Sequence, residues 1–160
     1  MDSNVLITGA STGIGKQLAY EFGPNVNSLI LCSRSEKQLL QLKKRIENEN
    51  LKVHVFPCDL SIQQDCELLS KYSNENKINI LINNAAIPCP GINLIDISLT
   101  QISDIININL KAPILLSKLI KGLKTIINLN SIVGLEHKLN RTIYSASKWG
   151  LRGFSESLKL

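Results

Sequence analysis

Asn4-Val5-Leu6-Ile7-Thr8-Gly9-Ala10-Ser11-Thr12-Gly13-Ile14-Gly15-Lys16-Gln17-Leu18-Ala19-Tyr20-Glu21-Phe22 is the stretch whose reading decides the fold. Its first five residues form a short apolar run rich in branched side chains, the pattern of a strand. Residues 13–22 read as a helix, and the loop between them is glycine-rich. A strand, a glycine turn and a helix in immediate succession make the first half of a dinucleotide-binding unit. Glycine lets a backbone approach a pyrophosphate closely. The helix N-terminus offers free N–H groups and a partial positive charge. Gly9, Ser11, Thr12, Gly13, Ile14 and Gly15 are therefore the candidate phosphate cradle. The spacing is G-x-x-x-G-x-G rather than the commoner G-x-G-x-x-G, and a purely structural turn is the alternative reading of the loop taken alone.

Working outward, the pattern alternates. Strands are expected at 4–8, 28–32, 52–57, 78–83 and 125–129, and helices at 13–22, 36–49, 61–74, 99–121 and 142–160. Three helix starts carry a capping-box pattern: Ser35 with Gln38, Ser61 with Gln64, and Ser98 with Gln101. Alternation of this kind predicts an α/β fold with a parallel sheet covered on both faces. The loop Pro88-Cys89-Pro90-Gly91 is expected at the carboxyl edge of the strands, beside a bound cofactor. Lys121-Gly122-Leu123-Lys124 makes an unusually tight helix-to-strand turn, so the helix before it is expected to end early.

The second strand ends in Ser33-Arg34. NAD-preferring sites place an acid near this position to bind the ribose 2′-hydroxyl. A neutral Ser33 followed by the Arg34 guanidinium suits a 2′-phosphate instead, so the expected cofactor is NADP(H). Glu36, two residues further on, keeps NAD(H) open.

The chemistry-bearing segment runs from Ser131 to Tyr144-Ser145-Ala146-Ser147-Lys148. A phenol and an ammonium four residues apart stack on one face of a helix. A cation held beside a phenol favours its ionised form, which makes the pair a proton donor and acceptor for a hydroxyl or carbonyl. Ser131, arriving from another element, is placed to hydrogen-bond the same oxygen. Asn109 lies four residues before Pro113. Proline has no N–H and crowds the carbonyl at i−4, so the Asn109 carbonyl is expected to leave the helix ladder and hold a water.

Together these pieces resemble the short-chain dehydrogenase/reductase family from Asn4 to Leu160. Thr8 to Gly15 is similar to its TGxxxGxG motif, and Cys58-Asp59-Leu60 to its acidic site after strand three. Asn83-Asn84-Ala85-Ala86 resembles its NNAG segment, with Ala86 in place of the glycine. Asn109 falls where that family keeps a helix asparagine, and Ser131, Tyr144 and Lys148 fall on its catalytic positions. The resemblance implies a Rossmann-type doubly wound parallel sheet in one domain, residues 1–160. It implies cofactor contacts from Asp59 to the adenine and from Leu60, Asn83 and Ala85, with Tyr144 and Lys148 reaching the ribose side. It also implies a water relay from Lys148 through Asn109. Family members continue into two more strands and a substrate lid; without these, strand 125–129 becomes an edge and the face bearing Trp149 and Phe154 loses cover. The expected function is an NADP(H)-dependent oxidoreductase interconverting a carbonyl and a hydroxyl. The alternative is a catalytically impaired remnant or split-gene fragment that at most binds nucleotide.

Composition bounds the rest. The chain has 160 residues, 44% hydrophobic, 19% charged and 4% aromatic, which suits one soluble domain with an aliphatic core. The net charge of +5 is spread over lysines with no dense basic block, so nucleic acid is not an expected partner. No apolar run is long enough to span a membrane, and Met1-Asp2-Ser3-Asn4 does not read as a signal peptide. Cys32, Cys58, Cys66 and Cys89 lack metal-like spacing and read as reduced thiols of a cytoplasmic protein, with no metal site. The partners expected are a small carbonyl or alcohol substrate and further copies of the chain. His54 reads as structural; His137 reads as either a substrate contact or an exposed loop residue.

Overall fold

The computed structural model describes residues 3–88 and 91–158. The chain runs β1 (Asn4–Thr8), α1 (Gly13–Phe22), β2 (Ser28–Ser33), α2 (Glu36–Ile46), β3 (Lys52–Pro57), α3 (Gln63–Glu75), β4 (Ile80–Asn83), α4 (Leu99–Ile106), a π-helical turn (Asn107–Lys111), α5 (Ala112–Leu119), β5 (Thr125–Asn128) and α6 (Thr142–Ser157). Five parallel strands lie in the order β3-β2-β1-β4-β5. This is the doubly wound sheet expected of the alternation. The order reverses direction at β1 and β4, and ligands bind beyond the carboxyl ends of strands at such a reversal.

Strand period explains the two layers. Val5, Ile7, Leu29, Leu31, Val53 and Ile82 point to one face, where Ala19 of α1 and Leu39, Leu42 and Ile46 of α2 cover them. Leu6, Ile30, Cys32 and Leu81 point to the other, against Cys66 and Leu69 of α3 and Ala112 and Leu116 of α5. The central strands are apolar on both sides because both faces are dry. Each fully buried Leu or Ile contributes about 1.5–3 kcal/mol. β5 is different: it is an edge strand, opposite the edge formed by β3, and Thr125 and Ile127 are exposed.

Several local expectations change. Only Ser98 and Gln101 form the reciprocal capping box. Ser35 makes no side-chain cap. Ser61 is drawn off its helix by Asp59, whose Oδ1 accepts from both its N–H (2.9 Å) and its hydroxyl (2.8 Å); α3 therefore begins two residues later than expected. The helix expected at 99–121 is interrupted by the π turn, in which the Ala112 N–H reaches back to the Asn107 carbonyl. Pro113 lies just beyond it and cannot donate to Asn109, so the ladder widens by one residue upstream of the proline. α5 stops at Leu119, and Gly122 turns the chain into β5 with φ 74°. Cys89 and Pro90 of the proline loop lie outside the described residues, as do the last two residues of the expected helix 142–160.

Candidate active site

The carboxyl ends of the strands carry a cleft of about 560 Å³. It is lined by Gly9, Ser11, Thr12 and Ile14 from the first turn and by Ser33 and Arg34 from the end of β2. Asp59 and Leu60 follow β3, and Asn84, Ala85 and Ile87 follow β4.

The glycine turn is built for close approach. Gly9 has φ 67° and Gly13 φ 53°, conformations that favour glycine. A Cβ on Gly9 would sit 2.8 Å from the Ala85 Cα. Gly15 is buried, and a Cβ there would overlap the Gly9 carbonyl oxygen and Asn84 Nδ2. Gly15 therefore seats α1 against the turn and is not among the residues that line the cleft. Gly13 opens instead onto the flank of α1 and α2, beside Lys16 and Arg45. The N-cap of α1 is Thr12, with no side-chain cap and no acid in the first turn. The first N–H groups of the helix have no intrahelical partner, so they present donors and positive potential at the cleft.

Two polar side chains hold the turn to β4. Thr8 Oγ1 donates to the Ile82 carbonyl (3.3 Å) and accepts from the Asn84 and Ala85 N–H groups (3.0 and 3.1 Å). Asn84 Nδ2 donates to the carbonyls of Thr8 (2.9 Å) and Gly9 (3.1 Å). Asn84, not the expected Asn83, faces this cleft. Asn83 is buried and turned to β5, where its Nδ2 donates to Asn128 Oδ1 at 2.8 Å. Sequence position alone does not separate two adjacent asparagines; the end of β4 does, since Asn83 is its last residue and bonds across to β5, whereas Asn84 follows the strand and bonds back to the glycine turn.

At the other end, Arg34 is exposed on the rim of the cleft, with Ser35 and Gln38 beside it. Gln38 was read from the sequence only as a capping-box partner of Ser35, not as a residue of the cleft. Asp59 lines the cleft while its Oδ1 anchors Ser61 and its own N–H donates to Asp65 Oδ2 (2.8 Å).

The second cluster sits on α6. Tyr144 and Lys148 share a face, with Nζ 5.9 Å from the phenol ring centroid. Lys148 is almost wholly buried; its ammonium donates to the Leu129 carbonyl at 2.8 Å. Burial pushes its pKa down to about 8. Tyr144 packs against the buried cluster of Ile97 and Ile105, as do Ile87, Ile92, Ile102 and Ile143. Ser131 caps a short 3₁₀ turn, Ile132–Gly134, which packs on α6; its Oγ accepts a long bond from the Val133 N–H (3.5 Å). His137 is exposed in the loop that follows. His54 is structural, its Nδ1 paired with the Tyr72 hydroxyl at 2.7 Å.

Asn109 joins the two clusters. Its Oδ1 accepts from the Ile87 N–H (2.8 Å), and its Nδ2 donates to the Ile87 carbonyl (3.0 Å) and to Ser147 Oγ (3.2 Å). Ser147 in turn donates to the Tyr144 carbonyl (2.7 Å). Ile87 lines the cleft, so one buried amide ties the cleft wall to the helix bearing the phenol and the ammonium. Ser147 was not singled out from the sequence; its signal is that it lies three residues after Tyr144, on the same helix face. Ser131, Tyr144 and Lys148 are not among the residues that line the cleft.

A parallel sheet with a glycine cradle at its switch point and a Tyr-Lys helix behind it defines a dinucleotide-binding α/β protein of the dehydrogenase type. Residues 3–160 match the family described as short chain dehydrogenase, and the chain belongs to that family. It is 32% identical to mouse dehydrogenase/reductase SDR family member 7, over 98% of this chain and 50% of that protein. It is 34% identical to a 3-oxoacyl-(acyl-carrier-protein) reductase of Rickettsia prowazekii, over 96% and 64%. Among solved structures, the bulky-bulky ketone specific alcohol dehydrogenase from Comamonas testosteroni superposes with a TM-score of 0.91 at 29% identity, covering 98% of this chain and 66% of that one. A metagenomic short-chain oxidoreductase in complex with NADP gives 0.90 at 28%, covering 97% and 73%. The chain thus spans about half to two thirds of the length of the curated relatives it matches. Among the described residues, no helix is long and apolar enough to cross a membrane, and no group of three or more His, Cys, Asp or Glu could hold a metal ion.

Proposed function

We propose that this chain carries the nucleotide-binding and proton-transfer parts of an NADP(H)-dependent oxidoreductase that interconverts a carbonyl and a hydroxyl. The observation that carries the reading is the continuous link from the glycine cleft through Ile87, Asn109 and Ser147 to Tyr144 and Lys148. The cradle fits a dinucleotide: Gly9 leaves no room for a side chain, and the α1 N-terminus supplies unpaired donors for a pyrophosphate. Gly9, Ser11, Thr12 and Ile14 would hold the phosphates. Asp59 and Leu60 would meet the adenine, and Ala85 the middle of the ligand. Ser33 and Arg34 would take a 2′-phosphate, which favours NADP(H) over NAD(H). Two of the proteins this chain resembles, a 3-oxoacyl-(acyl-carrier-protein) reductase and a bulky-bulky ketone specific alcohol dehydrogenase, support the reaction class.

When bound, the nicotinamide supplies or accepts the hydride. Tyr144 then gives its phenolic proton to the developing alkoxide, or takes it back in the reverse direction. The Lys148 ammonium beside the ring offsets the negative charge left on the phenolate. Ser131 would donate to the same substrate oxygen. Asn109 acts as a positioning residue: its side chain is fully used in holding Ile87 and Ser147, a different task from the water relay expected of its carbonyl.

The alternative reading is nucleotide binding without turnover. Two measurements separate the readings. Titration with NADPH and NADH should show tighter NADPH binding, and Arg34→Ala should weaken NADPH alone by about 1–3 kcal/mol. NADPH consumption with carbonyl substrates should be nearly abolished by Tyr144→Phe while cofactor affinity holds. Equal affinity for both cofactors sinks the NADP(H) assignment, and an undiminished rate in Tyr144→Phe sinks the proposed acid.

A further inference from the structure

Two sulfurs at the cleft have no part in the function proposed above. Cys32 ends the buried part of β2 and Cys58 follows β3; their Sγ atoms are 3.1 Å apart. Cys32 is fully buried, whereas Cys58 is half-buried and lines the cleft between Arg34 and Asp59. The two strand ends are already tied at this point by the bond from the Cys58 N–H to the Ser33 carbonyl (3.1 Å). A disulfide needs its sulfurs about 2.05 Å apart, so a shift of about 1 Å closes the pair. We infer that Cys32 and Cys58 form a reversible dithiol–disulfide pair, closed by an oxidant of the peroxide class, and that closure deforms the adenine end of the cleft.

The order of events follows from access. The adjacent Cys58 sulfur, and then burial, push the Cys32 thiol well above its ordinary range, and burial pushes Cys66 up to about 11. Among the described residues, Cys58 alone of the three cysteines lines the cleft. Its sulfur attacks one peroxide oxygen and the O–O bond breaks. Cys58 becomes a sulfenic acid, and the leaving oxygen departs as an alcohol or water carrying a proton. The Cys32 sulfur then attacks the Cys58 sulfur. An S–S bond forms, the S–O bond breaks, and the hydroxyl leaves as water with the Cys32 proton. Two electrons pass from the two sulfurs to the peroxide, and an external thiol returns them. Drawing Cys58 inward moves the adjacent Asp59, whose carboxylate holds Ser61 at the cleft wall. Oxidation should therefore weaken dinucleotide binding, and bound dinucleotide should slow oxidation by the reciprocal linkage. This consequence rests on the cofactor reading above; the disulfide itself does not.

The test treats the reduced, cofactor-free chain with hydrogen peroxide, alkylates the remaining thiols, and maps the digest by mass without reduction. The expected product is a crosslink between the peptides of Cys32 and Cys58, reversed by dithiothreitol, absent in Cys58→Ser and retained in Cys66→Ala. NADPH titration of the crosslinked chain should show affinity lowered about fivefold or more, and NADPH should slow the crosslinking. A Cys58–Cys66 link, or over-oxidation of Cys58 without any crosslink, overturns the pair. Complete crosslinking with unchanged NADPH affinity overturns the coupling. A reduced chain that does not bind NADPH overturns the cofactor reading and with it the coupling, while the crosslink is still read by mass alone.

Discussion

Lys148 is the residue on which the site and the stability of the fold meet. Its ammonium is buried against one carbonyl, and its pKa is pushed down to about 8 from an ordinary 10.5. Below pH 8 the group is charged in both states, and the folded chain bears the full cost of burying that charge, about 3 kcal/mol. Between pH 8 and 10.5 the unfolded chain binds more protons than the folded one, so this cost fades as pH rises. Lys148→Met removes it at every pH. The variant should be more stable than the parent at pH 7, by about 1–3 kcal/mol once the lost bond to Leu129 is allowed for. The gap should narrow as pH climbs through 8 to 10, while cofactor affinity and turnover fall. Urea unfolding of both chains at pH 7 and pH 9.5 measures this; a Lys148→Met chain less stable at pH 7 would mean that the ammonium is stabilising where it lies. Such a trade, stability given up for a charge beside a phenol, is what a functional lysine is expected to show.

At the scale of elements, the critical joint is the one between the segment after β4 and α6. Asn109 makes three side-chain hydrogen bonds from the π turn, all at buried or half-buried positions. Asn109→Ala strips both backbone groups of Ile87 and the Ser147 hydroxyl of this partner. It should cost about 2–4 kcal/mol in chemical denaturation, with a larger loss in kcat than in NADPH affinity. A loss below about 1 kcal/mol would show that the joint does not hold the helices together. This joint was only half legible in the sequence. The strands, the glycine turn and the Tyr-Lys helix follow from local pattern and were read correctly. Asn109 and Pro113 marked the place of the break, but the π turn and the side-chain bonds depend on what packs opposite, and no local pattern encodes that. The capping boxes show the same limit: Ser61 has the cap sequence, yet Asp59, two residues earlier, accepts its donors more closely. Asn83 and Asn84 are separated only by where β4 ends.

At the scale of the whole molecule, the sheet is well covered over β1 and β2 and poorly covered at β5. That strand is one of the two edges, with Ile127 37% exposed, and Trp149 on α6 is 46% exposed. An edge strand offers a row of unpaired N–H and C=O groups, and uncovered apolar side chains add the drive to pair them with another chain. The net charge of +5 opposes this, but it is screened beyond about 8 Å at physiological salt. We expect the 160-residue chain on its own to self-associate in the micromolar range, more strongly as salt is raised. Ile127→Lys should reduce the association, because a charge on an edge strand must be desolvated before a second strand can dock. The same substitution should leave thermal stability of the monomer within about 0.5 kcal/mol, as expected at an exposed position away from caps and core. Sedimentation velocity across a concentration and salt series reads the first effect and thermal melting at low concentration the second. A parent chain that sediments as a monomer throughout would show that α6 and the loops around β5 already shield that edge.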